Sequence, residues 1–169
     1  DLCQLAIESN VDLVKFQIYT GDKLVSKVES PQRNIHFKKF QLSEDQHLQL
    51  AQMVIDAGLR YTSSIWDLDS LNWIDDKIGV YKVGSGDLTA LPILKELAHK
   101  GKPIILSTGL STEKEVLESV NFIQNQNSIY KSPENLAVLQ CTSMYPIPPR
   151  EANLEVIPRL KEKTNLKVG

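Results

Sequence analysis

Short β-type apolar runs take turns with amphipathic helical stretches along the chain, and that alternation narrows the fold to an α/β arrangement around parallel strands. Five runs read as strands, at residues 13–18, 61–64, 79–83, 103–107 and 136–141. Their interiors are apolar without strict alternation, which is the pattern of strands covered on both faces. Helical periodicity falls between them at residues 43–57, 68–74, 91–99, 112–123 and 154–162. Ser43 with Gln46 and Thr112 with Glu115 have the spacing of capping boxes, and Gly58 and Gly101 stand where helices should stop. Residues 20–41 are polar and weakly periodic, and read as a loop longer than the fold needs. Repeated β-loop-α units of this size favour a partial (β/α)8 TIM barrel, with an open doubly wound sheet as the alternative.

Length and composition set outer bounds. A chain of 169 residues, 41% hydrophobic and 24% charged, reads as one globular domain. A net charge of −2 argues against a nucleic-acid partner, which needs clustered excess Lys and Arg. Cys3 and Cys141 stand far apart with no paired spacing, so neither a disulfide framework nor a zinc cage is expected, and a cytoplasmic location fits. No apolar run approaches the length of a membrane span. The chain opens inside a helical pattern without an initiator Met and stops at Leu166-Lys167-Val168-Gly169 as a strand begins, which reads as an internal piece of a longer protein.

The polar residues that follow the apolar strand bodies carry the chemistry. Tyr81-Lys82-Val83-Gly84-Ser85-Gly86-Asp87 sets an ammonium, a hydroxyl and a carboxylate around two glycines at a strand end. Backbone amides can approach a ligand closely there, and Lys82 supplies a point charge suited to phosphate or carboxylate. Val14-Lys15-Phe16-Gln17 ends another strand the same way, so the two lysines suggest a shared anionic substrate. Ser63-Ser64, Ser107-Thr108-Gly109 and Thr142-Ser143 follow three further strands. The hydroxyls after residue 107 suit either a helix cap or a phosphate. Cys141 reads as a small buried hydrophobe, and His36, His47 and His99 as surface residues. Asp67 reads as a helix start, and Lys38-Lys39 as part of a solvated loop.

In this order the segments around residues 14–17, 81–87, 102–110 and 139–146 resemble the N-acetylneuraminate (sialic acid) synthase family, including its legionaminic, pseudaminic and spore-coat polysaccharide relatives. The resemblance implies a TIM-barrel catalytic domain that condenses phosphoenolpyruvate with N-acetylmannosamine or a related N-acetylated amino sugar and releases phosphate. It assigns Lys15, Ser64, Lys82, Ser85, Ser107 and Ser143 to phosphoenolpyruvate, Gln17 and Tyr145 to the sugar, and an acid/base or orienting role to Asp87 beside Lys82. Thr62-Ser63-Ser64-Ile65-Trp66 departs from the Ser-Thr-Pro-Phe pattern of many bacterial members. The resemblance also implies that residues 1–169 hold barrel strands 2 to 6. The first strand, the last strands, the ligands of a divalent Mn or Mg ion and a C-terminal antifreeze-like domain would then lie outside this chain. The fragment alone is expected to be inactive, and the parent to be a homodimer. Two other readings keep the same residues: a class I aldolase with Lys82 as Schiff-base nucleophile, and an inactive truncated barrel serving as a binding module.

Overall fold

The computed structural model describes residues 2–9 and 11–169, which form two compact units, Asp1–Gly79 and Val80–Gly169. The first contains α1 (Leu2–Glu8), β1 (Leu13–Ile18), α2 (Gly21–Leu24), α3 (Pro31–Phe40), α4 (Glu44–Asp56), β2 (Arg60–Ile65) and α5 (Leu68–Ile74). Strands β1 and β2 pair in parallel, with Leu13 opposite Arg60 and Ile18 opposite Ile65. Val14, Ile18, Tyr61 and Ile65 are buried with Leu71 and Ile74 of α5, and Phe16 stacks on Tyr61 with ring centroids 5.7 Å apart. Each fully buried aliphatic side chain contributes about 1.5–3 kcal/mol.

Local chemistry sets the helix limits. Ser43 Oγ accepts from the Gln46 amide at 3.2 Å while Gln46 Oε1 accepts from the Ser43 amide at 2.9 Å, the reciprocal capping box expected at the start of α4. Asp67 accepts from both the amide and the hydroxyl of Ser70 at 2.9 Å and opens α5.

The segment expected to be a loop at residues 20–41 is instead largely helical. Pro31 opens α3, where its missing N–H costs nothing, and the helix buries Asn34 in place of an apolar stripe. The Asn34 amide nitrogen donates to Val25 O at 2.8 Å, Asp22 Oδ1 at 3.1 Å and Gly21 O at 3.3 Å, which ties α2 to α3. Lys38, expected in a solvated loop, lies on α3 and pairs with Asp22 at 2.8 Å. His47 also corrects its expectation: it is 1% exposed, packs against Trp73 with ring centroids 6.0 Å apart, and burial lowers its pKa.

The second unit contains β3 (Tyr81–Val83), α6 (Leu91–Lys100), β4 (Ile104–Ser107), α7 (Glu113–Gln126), β5 (Leu136–Leu139), α8 (Val156–Thr164) and β6 (Lys167–Val168). Its four strands are parallel and neighbour one another in chain order, with Tyr81 opposite Ile104, Ile104 opposite Leu136 and Ala137 opposite Lys167. Ile104, Leu106, Leu136 and Val138 are buried with Leu94, Val116, Val120, Ile123 and Leu160 of the helices. Residues 82, 105 and 137 between them are half-buried, so the second face of these strands is covered less fully than the first. Helix α6 stops at Gly101, whose φ of 74° suits a residue without Cβ. Tyr130 donates its hydroxyl to Lys102 O at 2.8 Å and Leu97 O at 3.3 Å, and burial pushes its pKa up to about 12.

Candidate functional site

In the second unit the residues at the carboxyl ends of β3, β4 and β5 are brought together. Lys82 is opposite Ile105, so Ser107, two residues farther along β4, projects from the same face as Lys82 and one step nearer the strand end. The lysine stem spans that step. Its Nζ donates to Ser107 Oγ at 2.5 Å and to Val83 O at 2.9 Å. Ser107 is 4% exposed while Lys82 is half-buried, so the ammonium is held partly out of water beside a hydroxyl.

After β3 the chain passes through Gly84 into a 3-10 turn, Ser85–Asp87, closed by the Asp87 amide donating to Gly84 O at 3.0 Å. The turn presents Ser85 to the loop after β4, where the Gly109 amide donates to Ser85 Oγ at 2.9 Å. A Cβ on Gly109 would stand 2.5 Å from Ser143 Oγ and 2.9 Å from Ser85 Oγ. Ser85, Gly109 and Ser143 therefore crowd one point from three different strand ends. Thr108 fixes the loop by donating its amide and its hydroxyl to Leu139 O, at 3.2 and 3.0 Å.

Of the expected residues in this unit, Lys82, Ser85, Ser107 and Ser143 lie in or against this cluster, and Asp87 closes the turn that carries Ser85. Tyr145 is 97% exposed. Cys141, expected to be buried, is half-exposed. Ser107-Thr108-Gly109 does not begin the next helix. Helix α7 starts at Glu113 under its own capping box, Thr112 with Glu115, which leaves the amide of Gly109 for Ser85. Gly109 is the residue that sequence reading undervalued, taking it only as part of a hydroxyl-rich turn. Glycine type alone hinted at close approach, but the two serines it meets are 24 and 34 residues away in the chain.

The first unit carries the rest. In the β1–β2 register Lys15 is opposite Thr62 and Gln17 opposite Ser64, so these four share one sheet face. Lys15 and Gln17 are exposed, whereas Thr62 and Ser64 are 1% and 3% exposed. Lys15 is exposed as a residue, yet partial desolvation of its amine lowers its pKa.

A cavity of about 610 Å³ in the second unit adjoins the strand-end cluster through Thr108 and Ser143, lies between the loop after β5 and the starts of α7 and α8, and is also lined by Cys141, Thr142, Glu113 and Arg159. Glu113 is held there by Lys163 and by Arg159 Nε at 2.5 Å, with its carboxyl below the usual range, chiefly because of Lys163. Among the described residues no group of three or more His, Cys, Asp or Glu side chains is placed to hold a metal ion, and no helix is long and apolar enough to cross a membrane.

The sequence profile of the NeuB family matches residues 2–169. An uncharacterized protein of Methanocaldococcus jannaschii is 34% identical over 172 residues, covering 100% of this chain and 48% of that protein. The N,N'-diacetyllegionaminic acid synthase of Legionella pneumophila is 30% identical over 185 residues, covering 100% of this chain and 51% of the synthase. This chain thus spans about half the length of the curated relatives it matches. The crystal structure of the N-acetylneuraminic acid synthetase of Leptospira borgpetersenii superposes with a TM-score of 0.88 at 24% identity, over 99% of this chain and 56% of that one. That likeness shows the fold, the α/β class with parallel strands of a (β/α)8 barrel expected from the sequence.

Proposed function

This chain belongs to the NeuB family, and from that premise we propose that its strand-end cluster binds phosphoenolpyruvate in a sugar-acid synthase. The carrying observation is the bonding of Lys82 and the two serines. Ser107 Oγ accepts from Lys82 Nζ, and Ser85 Oγ accepts from the Gly109 amide. Each hydroxyl has one proton, and with an N–H already on its oxygen that proton points elsewhere as a donor. An ammonium with two such hydroxyls is a set built for a group that only accepts, such as phosphate or carboxylate.

Phosphoenolpyruvate carries both groups on a small frame, so donors at several strand ends fix the face of its enol. The family motifs assign Lys15 and Ser64 to the same ligand as Lys82, Ser85, Ser107 and Ser143, and Gln17 and Tyr145 to the sugar. In the proposed reaction C3 of phosphoenolpyruvate attacks the aldehyde carbon of the open-chain N-acetylated amino sugar. Water adds to C2, and the tetrahedral intermediate collapses with loss of inorganic phosphate. Lys82 and the serine donors hold the departing phosphate throughout, while Asp87, beside Ser85 on the 3-10 turn, orients the donors or exchanges a proton. The divalent metal implied by the family resemblance has no ligand set among the described residues, so no step is assigned to it.

The test is phosphate release by the protein that carries this chain, supplied with phosphoenolpyruvate and a panel of N-acetylated amino sugars. Release that depends on both substrates supports the reading. Borohydride reduction with pyruvate that adds mass at Lys82 would replace it with Schiff-base chemistry.

A further inference from the structure

Gly109 has no side chain to contribute, yet two of the proposed phosphate-binding serines converge on its α-carbon. Its amide donates to Ser85 Oγ at 2.9 Å. The space a Cβ would need is already taken by Ser143 Oγ at 2.5 Å and by Ser85 Oγ and Cβ at 2.9 and 3.2 Å. Real Cβ atoms essentially never come within 3.0 Å of such neighbours, so a side chain here forces both serines to move. The Thr108 bonds to Leu139 O hold the loop on β5, which restrains the backbone from backing away.

We infer that Gly109 is a positioning residue of the phosphoenolpyruvate site: its amide turns the Ser85 hydroxyl into a donor, and its missing side chain lets Ser85 and Ser143 close on one anion. This rests on the reading of the cluster as a phosphoenolpyruvate site. Buried and unable to touch the substrate through a side chain, Gly109 acts only through its neighbours. Ser143, exposed in the strand-end loop, gains a role from this packing because its Oγ is the atom nearest the vacant Cβ position.

The experiment is calorimetric titration of phosphoenolpyruvate, and separately of inorganic phosphate, into the protein that carries this chain, with the thermal midpoint measured in parallel. Gly109→Ala should weaken phosphoenolpyruvate by about tenfold or more, the loss of one or two charge-assisted hydrogen bonds. Adding Ser143→Ala removes the closest clash, so Gly109→Ala/Ser143→Ala should recover whatever thermal midpoint Gly109→Ala loses. Its affinity should still stay below that of Ser143→Ala alone, because Ser85 remains displaced. A merely structural glycine would show affinity and midpoint recovering together, and that result would overturn the inference. So would Gly109→Ala binding as wild type does. If Gly109→Ala does not fold, Ser85→Ala becomes the probe, and unchanged affinity there overturns the inference. Wild-type protein that binds inorganic phosphate but not phosphoenolpyruvate removes the substrate reading and leaves the effect of Gly109→Ala on phosphate to decide the role of the glycine. Binding of neither removes both.

Discussion

Lys82 Nζ lies 2.5 Å from Ser107 Oγ, a contact between neighbouring parallel strands in which the ammonium donates and the hydroxyl accepts. Register makes the contact possible, because Ser107 stands two residues beyond the partner of Lys82 on the same face. A lysine stem is long enough to climb one such step, and the Val83 carbonyl at 2.9 Å fixes where it ends. The pair is a preformed cation and donor at a strand end.

Removing the hydroxyl should therefore weaken the ligand more than the fold. Ser107→Ala leaves the Lys82 ammonium with Val83 O but takes away one donor, and should cost about 1–2 kcal/mol of phosphoenolpyruvate affinity. The thermal midpoint should move little. Titration calorimetry beside a thermal melt separates the two, and a large fall in midpoint with unchanged affinity would make the pair structural.

Lys15 should show the opposite balance between stability and function. Partial desolvation lowers its pKa, so the folded state is penalised wherever the amine is charged in both states, at and below neutral pH. The unfolded chain binds more protons between the lowered pKa and the ordinary value of 10.5, so stability from this group rises with pH through that window. Lys15→Met should melt higher than wild type at neutral pH, with the advantage shrinking toward pH 10.5, and should lose affinity for phosphoenolpyruvate. Melts from pH 7 to 10 together with calorimetry check both parts.

Glu113 gives an acid-side prediction away from the cluster. Lys163 first and Arg159 second hold its carboxyl below the ordinary range, so its contribution is present above the unfolded carboxylate value and is lost as pH falls through the depressed one. Glu113→Gln should melt below wild type at neutral pH and converge with it in acid. High salt should narrow the gap at neutral pH, since these side chains are solvent-reachable. A gap independent of pH would refute the assignment.

Asn34 tests the helical segment that replaces the expected loop. Asn34→Ala takes the buried donor from Val25 O, while Gly21 O keeps the Val25 amide, and should cost about 1–3 kcal/mol in stability. Chemical denaturation measures it, and a change under about 0.5 kcal/mol, the range of ordinary surface substitutions, would contradict the role.

The same residues show what the sequence made legible. The strand at residues 13–18 and the two capping boxes follow from local pattern and stand where expected, and the strand expected at residues 103–107 begins one residue later, at Ile104. Helix α3 was hidden because it buries one hydrogen-bonded Asn in place of an apolar stripe, leaving no periodicity to find. The buried His47 did leave a signal, since His47, Ala51 and Val54 share one face of α4 at helical spacing. Strand-end polar residues marked the site, but the meeting of Ser85, Gly109 and Ser143 depends on loop paths between distant segments, which no local pattern encodes.

The most direct measurement of the anion-binding claim is titration of phosphoenolpyruvate into the protein that carries this chain, in wild-type form and as Lys82→Ala, with both shown to be folded. Wild type should bind saturably and Lys82→Ala should bind about tenfold or more weakly, as expected for loss of a hydrogen bond to a charged group. Equal dissociation constants in two folded proteins would contradict the claim.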